Sequence, residues 1–293
     1  MAEALFFAPE NALKLELHLP PPLPLSTATG AGHNDQLSGN DNKPTGRSRP
    51  FVTLTFAMSL DSSLTIAPGR PTELSGPQSK SMTHFLRSRH AAICVGVGTV
   101  VADDPSLNCR LASSLQGGGH QPRPIVIDPQ CRWAISENSR VLQLARAGHG
   151  LAPFIVTAIW EPPADRRELL ERHGGRYLFV EPTRESYGMP DGGPQFRWAD
   201  VLAEVKRQGL DSIMIEGGGT IINSLLSPPD NSLIDSVIVT IAPTWLGQGG
   251  VVICPPRKTG ADGSPPSPLR LADVSWHPLG ADIVLCGKIP RSQ

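Results

Sequence analysis

The chain has 293 residues, room for one large α/β domain or two small ones, and 39% of them are hydrophobic. Its 26 Lys and Arg against 27 Asp and Glu leave a net charge of −1, which gives no indication of nucleic acid or an anionic membrane as a partner. Five cysteines without a C-x-x-C pair, and no apolar run of the roughly 18 residues that a membrane helix needs, predict a cytoplasmic protein with no metal site.

Residues 1–49 are predicted to form a leader that is largely disordered. Four leucines alternate from Leu13 to Leu19 as a short strand or extended strap, which stops at the prolines that follow. Residues 26–49 are rich in Ser, Thr, Gly, Asn and Asp and hold almost no large apolar side chain, so they cannot build a core. We therefore expect the leader to be nearly dispensable for catalysis, with Leu13–Leu19 its only packed part.

From Pro50 onward, apolar runs with strand and helix periodicity alternate along the chain. This order predicts an α/β fold with a mostly parallel central sheet flanked by helices and a C-terminal antiparallel hairpin at one edge. Residues 50–293 form this one domain, with surface insertions near 183–195 and 255–268. Strands are predicted at 52–58, 92–96, 125–128, 154–157, 176–180, 213–216 and 236–241, helices at 77–90, 165–172, 198–208 and up to 226, and the hairpin at 269–276 and 282–288.

The segment Ile213–Ile222 carries the clearest functional pattern. A β-branched run reaches Glu216, passes through Gly217, Gly218 and Gly219, and restarts as an apolar helix. A buried strand that delivers a glycine turn to a helix N-terminus exposes backbone N–H groups, which bind phosphate or pyrophosphate. A tight turn that binds nothing is the alternative.

A second apolar run breaks into glycines at Gly96 and Gly98, and Asp103 follows shortly after. Two such turns on one sheet predict a nucleotide cofactor lying across the strand ends. The spacing differs from the Rossmann fingerprint, because Val101 stands where the third glycine belongs. We therefore expect a dinucleotide site with another geometry.

Four stretches in this order resemble the riboflavin-pathway pyrimidine reductases over roughly residues 50–290. The resemblance implies a dihydrofolate-reductase-like fold, and the better match is the stand-alone fungal type, because the H-x-E and P-C-x-x-C of a zinc deaminase half do not occur. The four stretches are Ala57–Ser62, Leu86-Arg87 with Val95–Val100, Asp103–Arg110, and Glu216–Gly219 with Ile241–Pro243.

The resemblance implies reduction of the ribosyl group of 2,5-diamino-6-ribosylamino-4(3H)-pyrimidinone 5′-phosphate to the ribitylamino product. NADPH is the expected cofactor, with NADH left open because no basic partner for a 2′-phosphate can be placed. The protein has to hold donor and acceptor in contact and keep water out. A homodimer is also implied.

The implied cofactor residues surround the two glycine turns. Thr99 and Asp103 would bond the ribose or the nicotinamide amide, with an N-cap and a turn residue as the alternative. Glu216 would order its turn or accept from a ribose hydroxyl, and the backbone after it would hold the pyrophosphate. The residues implied to bind the cofactor are Thr99, Asp103, Glu216, Gly217, Gly218, Gly219 and Thr220.

Ser59 and Asp61 follow the first strand and are the predicted catalytic pair. Asp61 would bond the aminopyrimidine or the sugar, although a turn role is nearly as well supported. Ser62 stands where the family has Gly, which puts the local turn shape in question.

The implied substrate residues follow the second and third stretches. Arg87 and Arg110 are predicted to bind the 5′-phosphate, because a planar guanidinium can bind two oxygens at once. Leu107 and Asn108 are predicted to line the same pocket. The histidines at positions 84 and 90 are interpreted as packing or surface residues, since no metal-ligand spacing accompanies them.

Three other functions remain open at this point. The chain could reduce the deaminated pyrimidine, reduce dihydrofolate, or bind a nucleotide without catalysis. Loss of the substrate arginines would favour the last of these, and both are present.

Overall fold

The computed structural model describes residues 5–23, 47–112, 120–183, 195–256 and 268–290. Its strands are β1 (Phe51–Met58), β2 (Ser63–Thr65), β3 (Ala92–Gly96), β4 (Arg123–Ile127), β5 (Phe154–Thr157), β6 (Arg176–Phe179), β7 (Ser212–Gly217), β8 (Ser236–Ile241), β9 (Val251–Val252), β10 (Ala272–Leu279) and β11 (Asp282–Lys288). Its helices are α1 (Pro9–Leu15), α2 (Pro77–Arg89), α3 (Val97–Asp103), α4 (Arg140–Arg146), α5 (Ala164–Arg172), α6 (Trp198–Arg207) and α7 (Gly219–Leu226).

Nine strands form one sheet in the order β10-β11-β8-β1-β7-β3-β4-β5-β6. All neighbours from β8 to β6 are parallel, and the β10–β11 hairpin is antiparallel and adds to β8. The predicted fold class, a mostly parallel sheet with a closing antiparallel hairpin, is confirmed. Because the parallel strands run the same way, the turns after β1, β3 and β7 meet at one edge of the sheet.

The centre of the sheet is buried on both faces, as strand β7 illustrates. Ile213 and Ile215 have no exposed surface and pack into the cluster that contains α6 and α7. Met214 points the other way, against Met82 and Phe85 of α2. A continuous apolar run suits a strand covered on both sides, which explains why β7 showed no polar alternation.

The N-terminal segment corrects the prediction for the leader over its described part. Residues 5–23 do not form a strand: Pro9 begins α1 at the favoured first helical position. Leu15 and Leu19 are buried against α2, whereas Leu13 and Leu17 are exposed. The spacing of the buried residues is helical, so the apparent alternation of leucines was misleading. Residues 24–46 lie outside the described part of the chain. Residues 5–23 cover part of the core, and the dispensability of the leader for catalysis stays a prediction.

The other predicted elements are present with ends shifted by at most three residues. Two helices were not predicted, α3 and α4, and a small antiparallel pair, β2–β9, was also missed. The two predicted insertions fall mostly on residues 184–194 and 257–267, which lie outside the described residues. In the described part of the chain, no helix is both long and apolar enough to cross a membrane, and no three His, Cys, Asp or Glu side chains group as metal ligands would.

His90 closes α2 from inside the core. Its Nδ1 lies 2.7 Å from the carbonyl oxygen of Leu86, and its Nε2 lies 2.7 Å from the hydroxyl of Thr53. The ring has no exposed surface, and burial lowers its pKa to about 4. The packing interpretation of this histidine is confirmed, and the imidazole is neutral in the folded protein at neutral pH.

We predict an acid-sensitive stability from His90. When the pH falls below 6.5, the ordinary histidine pKa, His90 takes up a proton in the unfolded chain, whereas in the folded chain it stays neutral down to about pH 4. The free energy of unfolding therefore decreases as the pH falls through that window. Between pH 7 and pH 5 this costs about 2 kcal/mol, at about 1.4 kcal/mol per pKa unit. Denaturant unfolding of wild type and His90→Gln at both pH values measures it. The variant should be less stable at pH 7 but lose less on acidification, and equal losses would contradict the assignment.

Candidate active site

A cleft of about 790 Å³ opens at the carboxyl edge of the sheet. This is the edge at which open α/β sheets bind ligands, and the volume falls in the range of about 300–1,000 Å³ typical of small-molecule sites. The walls come from the end of β3 with α3, the turn into α7, strand β2 and the loop after β4. Among the lining residues are Gly96, Thr99, Asp103, Gly218, Gly219, Thr220, Arg70 and Arg132.

The glycine turn between β7 and α7 has a backbone that other residues rarely adopt. Gly217 has φ of 137° and Gly218 has φ of 52°, so both lie in the region that favours glycine. A Cβ built on Gly218 would meet the hydroxyl of Thr99 at 3.3 Å, across the cleft mouth. A Cβ on Gly219 would overlap Val251. The turn is therefore narrow, and the first N–H groups of α7, which have no partner within the helix, are the donors a pyrophosphate would use.

Thr99 and Asp103 both line this cleft from α3. The N-cap of α3 is Gly96, not Thr99, and the left-handed residue that ends it is Asp104, not Asp103. The capping and turn alternatives are thus wrong for both residues. Partial desolvation raises the pKa of the Asp103 carboxyl above its ordinary value. The hydroxyl of Thr99 therefore faces the glycine turn, and the carboxyl group of Asp103 lines the same cleft.

Glu216 has a different surrounding from the one predicted. The pairing of β7 with β3 runs from Ile215 with Cys94 directly to Gly217 with Val95, so Glu216 is the extra residue of a bulge. Its carboxylate receives two bonds from Arg87, at 3.0 and 2.8 Å. Both side chains are largely buried, with 17% and 14% exposed. Among the described residues the cleft lining includes neither Glu216 nor Gly217, so a bond from Glu216 to a cofactor ribose is not supported.

Arg87 also donates to the carbonyl oxygen of Asn108, at 3.1 Å. Its guanidinium is thus committed to protein partners on three of its five N–H groups, which argues against the predicted two-arginine phosphate clamp. The pair with Glu216 was invisible in the sequence, because 129 positions separate the two residues. The structure instead makes Arg87 a link between the bulge and the loop that carries Arg110.

Arg110 is exposed and is not among the described residues that line the cleft. It stands beside two other guanidinium groups. Its pKa is lowered, first by partial desolvation and then by the positive charges of Arg87 and Arg140. Arg140 donates to the hydroxyl of Ser106 at 2.8 Å. Arg110 and Arg140 therefore form a cationic surface that would attract an anionic group. Arg140 was missed in the sequence, since α4 was not predicted.

His84 orients Arg110. The ring is buried, and burial together with the charges of Arg87 and Arg110 lowers its pKa to about 3. Its Nδ1 lies 3.1 Å from the backbone nitrogen of Arg110, and its Nε2 lies 3.1 Å from Nη2 of the same residue. A neutral imidazole has one acceptor nitrogen, so either bond ties the two residues together. The packing interpretation missed this contact.

Leu107 and Asn108 are buried, so neither lines an open pocket as predicted. Leu107 takes φ of 50°, which bends the chain sharply. The amide of Asn108 donates to the carbonyl oxygen of His149 at 2.8 Å. Both residues shape the loop from inside, and Arg110 beyond them reaches the surface.

Ser59 and Asp61 form a turn, which supports the alternative to their predicted catalytic role. Ser59 has no exposed surface, and its hydroxyl bonds Asp61 and accepts the N–H of Ser63 at 3.0 Å. The Asp61 carboxylate also accepts the N–H groups of Leu246 and Gly247, at 3.2 and 2.7 Å. These bonds, that of Ser59 first, lower the pKa of Asp61. Ser62, which follows Asp61, adopts φ of 60°, so the turn keeps the shape for which the family uses glycine.

Two arginines in the cleft were missed altogether. Arg70 and Arg132 line it, and among the described residues neither guanidinium has a hydrogen bond or ion pair to the protein. The loop of Arg132 is fixed from below, because the buried carboxylate of Asp128 accepts the backbone N–H groups of Arg132 and Trp133 at 2.9 and 2.8 Å. These are free cations beside a predicted pyrophosphate site.

The profile of the RibD C-terminal domain family matches residues 50–285. A relative from Debaryomyces hansenii, the 2,5-diamino-6-ribosylamino-4(3H)-pyrimidinone 5′-phosphate reductase, is 38% identical and is matched over 82% of this chain and 90% of its own. The structure of the Saccharomyces cerevisiae riboflavin biosynthesis reductase Rib7 is 31% identical, with a TM-score of 0.64 over 83% of this chain and 91% of that one. Acinetobacter baumannii RibD, at 22% identity and a TM-score of 0.63 over 83% of this chain and 59% of its own, shows the same fold.

Proposed function

Because the chain belongs to the RibD C-terminal domain family, we propose that it reduces 2,5-diamino-6-ribosylamino-4(3H)-pyrimidinone 5′-phosphate to the ribitylamino compound in riboflavin biosynthesis. The observation that carries the proposal is the narrow glycine turn facing Thr99 across a cleft of ligand size. A bound nicotinamide cofactor supplies the hydride for this reaction, and the residues of the cleft suit such a group.

The chain's own residues do the binding and orienting. Backbone N–H groups after Gly218 receive the pyrophosphate, and Thr99 and Asp103 bond a ribose or the nicotinamide amide. Arg110, with Arg140 beside it, holds the substrate 5′-phosphate. Reduction needs no protein nucleophile, because hydride adds to the imine carbon of the opened ribosylamine and a proton completes the amine. Asp61 holds the turn after β1 through its bonds to Ser59, Leu246 and Gly247.

NADPH is the cofactor we propose, and Arg70 and Arg132 support that choice. Both are cations in the cleft without protein partners in the described part of the chain. A 2′-phosphate carries the charge that would pair with them, and the hydroxyl of NADH does not. Arg132 is the better candidate, because Asp128 holds its backbone in place.

We predict that Arg132→Ala raises the KM for NADPH about tenfold and leaves the KM for NADH nearly unchanged. Losing one charge-assisted contact costs about 1.5–3 kcal/mol, and the exposure of Arg132 favours the lower end of that range. Arg167→Ala, which removes an exposed arginine on α5 outside the cleft, is the matched control. An equal rise for both cofactors would remove Arg132 from the 2′-phosphate.

The activity itself is tested by following the absorbance of reduced nicotinamide with purified protein. The ribosylaminopyrimidine phosphate, its deaminated analogue and dihydrofolate are compared as substrates, each with NADPH and with NADH. We expect the diamino compound to react fastest. Faster reduction of the deaminated compound would place the step after deamination, and no oxidation of either cofactor with any substrate would leave a nucleotide-binding module.

A homodimer in the cytoplasm completes the proposal. The outer side of the terminal hairpin exposes Val274, Trp276 and Ile283, which are apolar side chains that a second copy would cover. Sedimentation of the purified chain measures this, and a monomer at micromolar concentration would contradict it.

A further inference from the structure

The N-terminal arm, residues 5–19, reaches the loop that carries Arg110. Leu5 lies beside that loop as a short parallel bridge to Leu111. The N–H of Leu5 donates to the carbonyl oxygen of Arg110 at 3.0 Å, and the N–H of Ala112 donates to the carbonyl oxygen of Leu5 at 3.0 Å. The backbone on either side of Leu111, directly after Arg110, is thus paired with Leu5 of the arm.

The arm is fastened to α2 before it reaches this loop. Phe7 is 3% exposed and stacks on Phe85, with ring centroids 5.1 Å apart. Leu15 and Leu19 pack against the same helix, and Glu16 pairs with Arg89 at 2.5 Å. Because α2 also carries His84 and Arg87, the arm and the Arg110 loop are held by one helix.

The other bonds to the Arg110 loop are made at positions 108 to 110, including one from the amide of Asn108 to the carbonyl oxygen of His149. His84 and Arg87 bond it from α2, and the side-chain amide of Gln121 bonds the backbone of Cys109 at 2.8 and 3.0 Å. Within the described residues, the main-chain bonds to Leu5 are the ones that hold the loop on the carboxyl side of Arg110. Each such restraint fixes the position of the Arg110 guanidinium more accurately. This matters because a small displacement weakens a directed contact with a phosphate.

We propose that Leu5 is a positioning residue for substrate recognition: its backbone holds the Arg110 loop in the shape that binds the 5′-phosphate. The inference rests on the proposed function, and it assigns the arm a role beyond covering the core. The side chain of Leu5 contributes little to this role, because the two hydrogen bonds belong to its main chain.

The test compares Leu5→Pro with Leu5→Ala in the full-length chain. Proline removes the N–H that bonds Arg110, whereas alanine keeps the main-chain bonds and loses only the side chain. We expect Leu5→Pro to raise the KM for the phosphorylated substrate about two- to tenfold, which is the range for one lost backbone hydrogen bond. The kcat, the KM for NADPH and the melting temperature should stay close to wild type, and Leu5→Ala should resemble wild type throughout.

Specificity for the phosphate separates positioning from general stability. The effect of Leu5→Pro should vanish for the dephosphorylated substrate. The proposal would be overturned by a fall in melting temperature together with a fall in kcat that is equal for both substrates. A Leu5→Ala effect as large as that of Leu5→Pro would also overturn it, as would an unchanged KM for the phosphorylated substrate. An inactive wild type would instead refute the proposed function, and an Arg110→Ala variant with unchanged KM would refute the phosphate site.

Discussion

Replacing Gly218 by valine is expected to abolish cofactor binding while the protein stays folded. Gly218 has φ of 52° and its Cβ position lies 3.3 Å from the hydroxyl of Thr99, so a branched side chain would fill the mouth that the pyrophosphate enters. The left-handed backbone adds a strain of about 1–2 kcal/mol, which is small beside the roughly 5–15 kcal/mol that stabilise a typical domain. Titration of NADPH, followed by fluorescence, should show at least about a hundredfold loss of affinity, as expected when the backbone can no longer approach the phosphates.

Gly209 provides a matched control for the strain. It ends α6 with φ of 77°, and nothing lies within 4 Å of its Cβ position. Gly209→Val therefore carries a similar backbone cost outside the cleft, and it should lower the melting temperature without changing NADPH affinity. If Gly218→Val is folded and binds NADPH as wild type does, the glycine turn is not part of the cofactor site.

Replacing Arg110 by alanine is expected to weaken substrate binding and spare the cofactor. A lost charge-assisted phosphate contact costs about 1.5–3 kcal/mol, or roughly ten- to a hundredfold in kcat/KM. The structure places the effect on Arg110 more than on Arg87, because Arg87 is committed to Glu216 and Asn108. Kinetics with the phosphorylated and dephosphorylated substrates should show the loss only for the first.

Arg110→Lys should recover part of the loss, since a point charge cannot reproduce a two-pronged contact. Arg140→Ala should give a smaller effect in the same direction, because Arg140 adds charge beside Arg110. An equal loss with both substrates would make Arg110 structural. A selective loss of NADPH affinity would move it to the cofactor.

The elements that the sequence predicted well are those with local causes. Strand β7 and helix α7 follow from apolar runs in the sequence, and the turn between them follows from the conformational freedom of glycine. Each of these causes acts within a few residues. The arm shows how a local pattern can mislead. The leucines at positions 13, 15, 17 and 19 alternate as in a strand, but two of them, Leu13 and Leu17, are exposed. The residues Ala12, Leu15 and Leu19 are buried, and their spacing is helical. Helical spacing from Pro9 onward was present in the sequence and predicts the observed helix.

The partners of side chains were predictable only where the position of a residue in the sheet determines its neighbours. Thr99 and Asp103 line the same cleft as the glycine turn because the sheet edge brings them there, and their bonds to a cofactor stay a prediction. The Arg87–Glu216 pair depends on a bulge in β7 and on the register with β3, and no periodicity in either strand encodes it. Arg132 was missed for a related reason, since its loop enters the cleft only after Asp128 bends it.

The central position of β1 has a consequence for how the chain folds. Its neighbours are β7 and β8, so Phe51 pairs with Ser212 and Thr53 with Ser236. Both edges of this apolar strand therefore remain open until the last third of the chain has left the ribosome. Contacts of such long sequence separation slow folding, and unpaired strand edges invite aggregation in the meantime. Synthesis rate, chaperone supply and growth temperature are thus expected to govern the yield of this protein more than its final stability does.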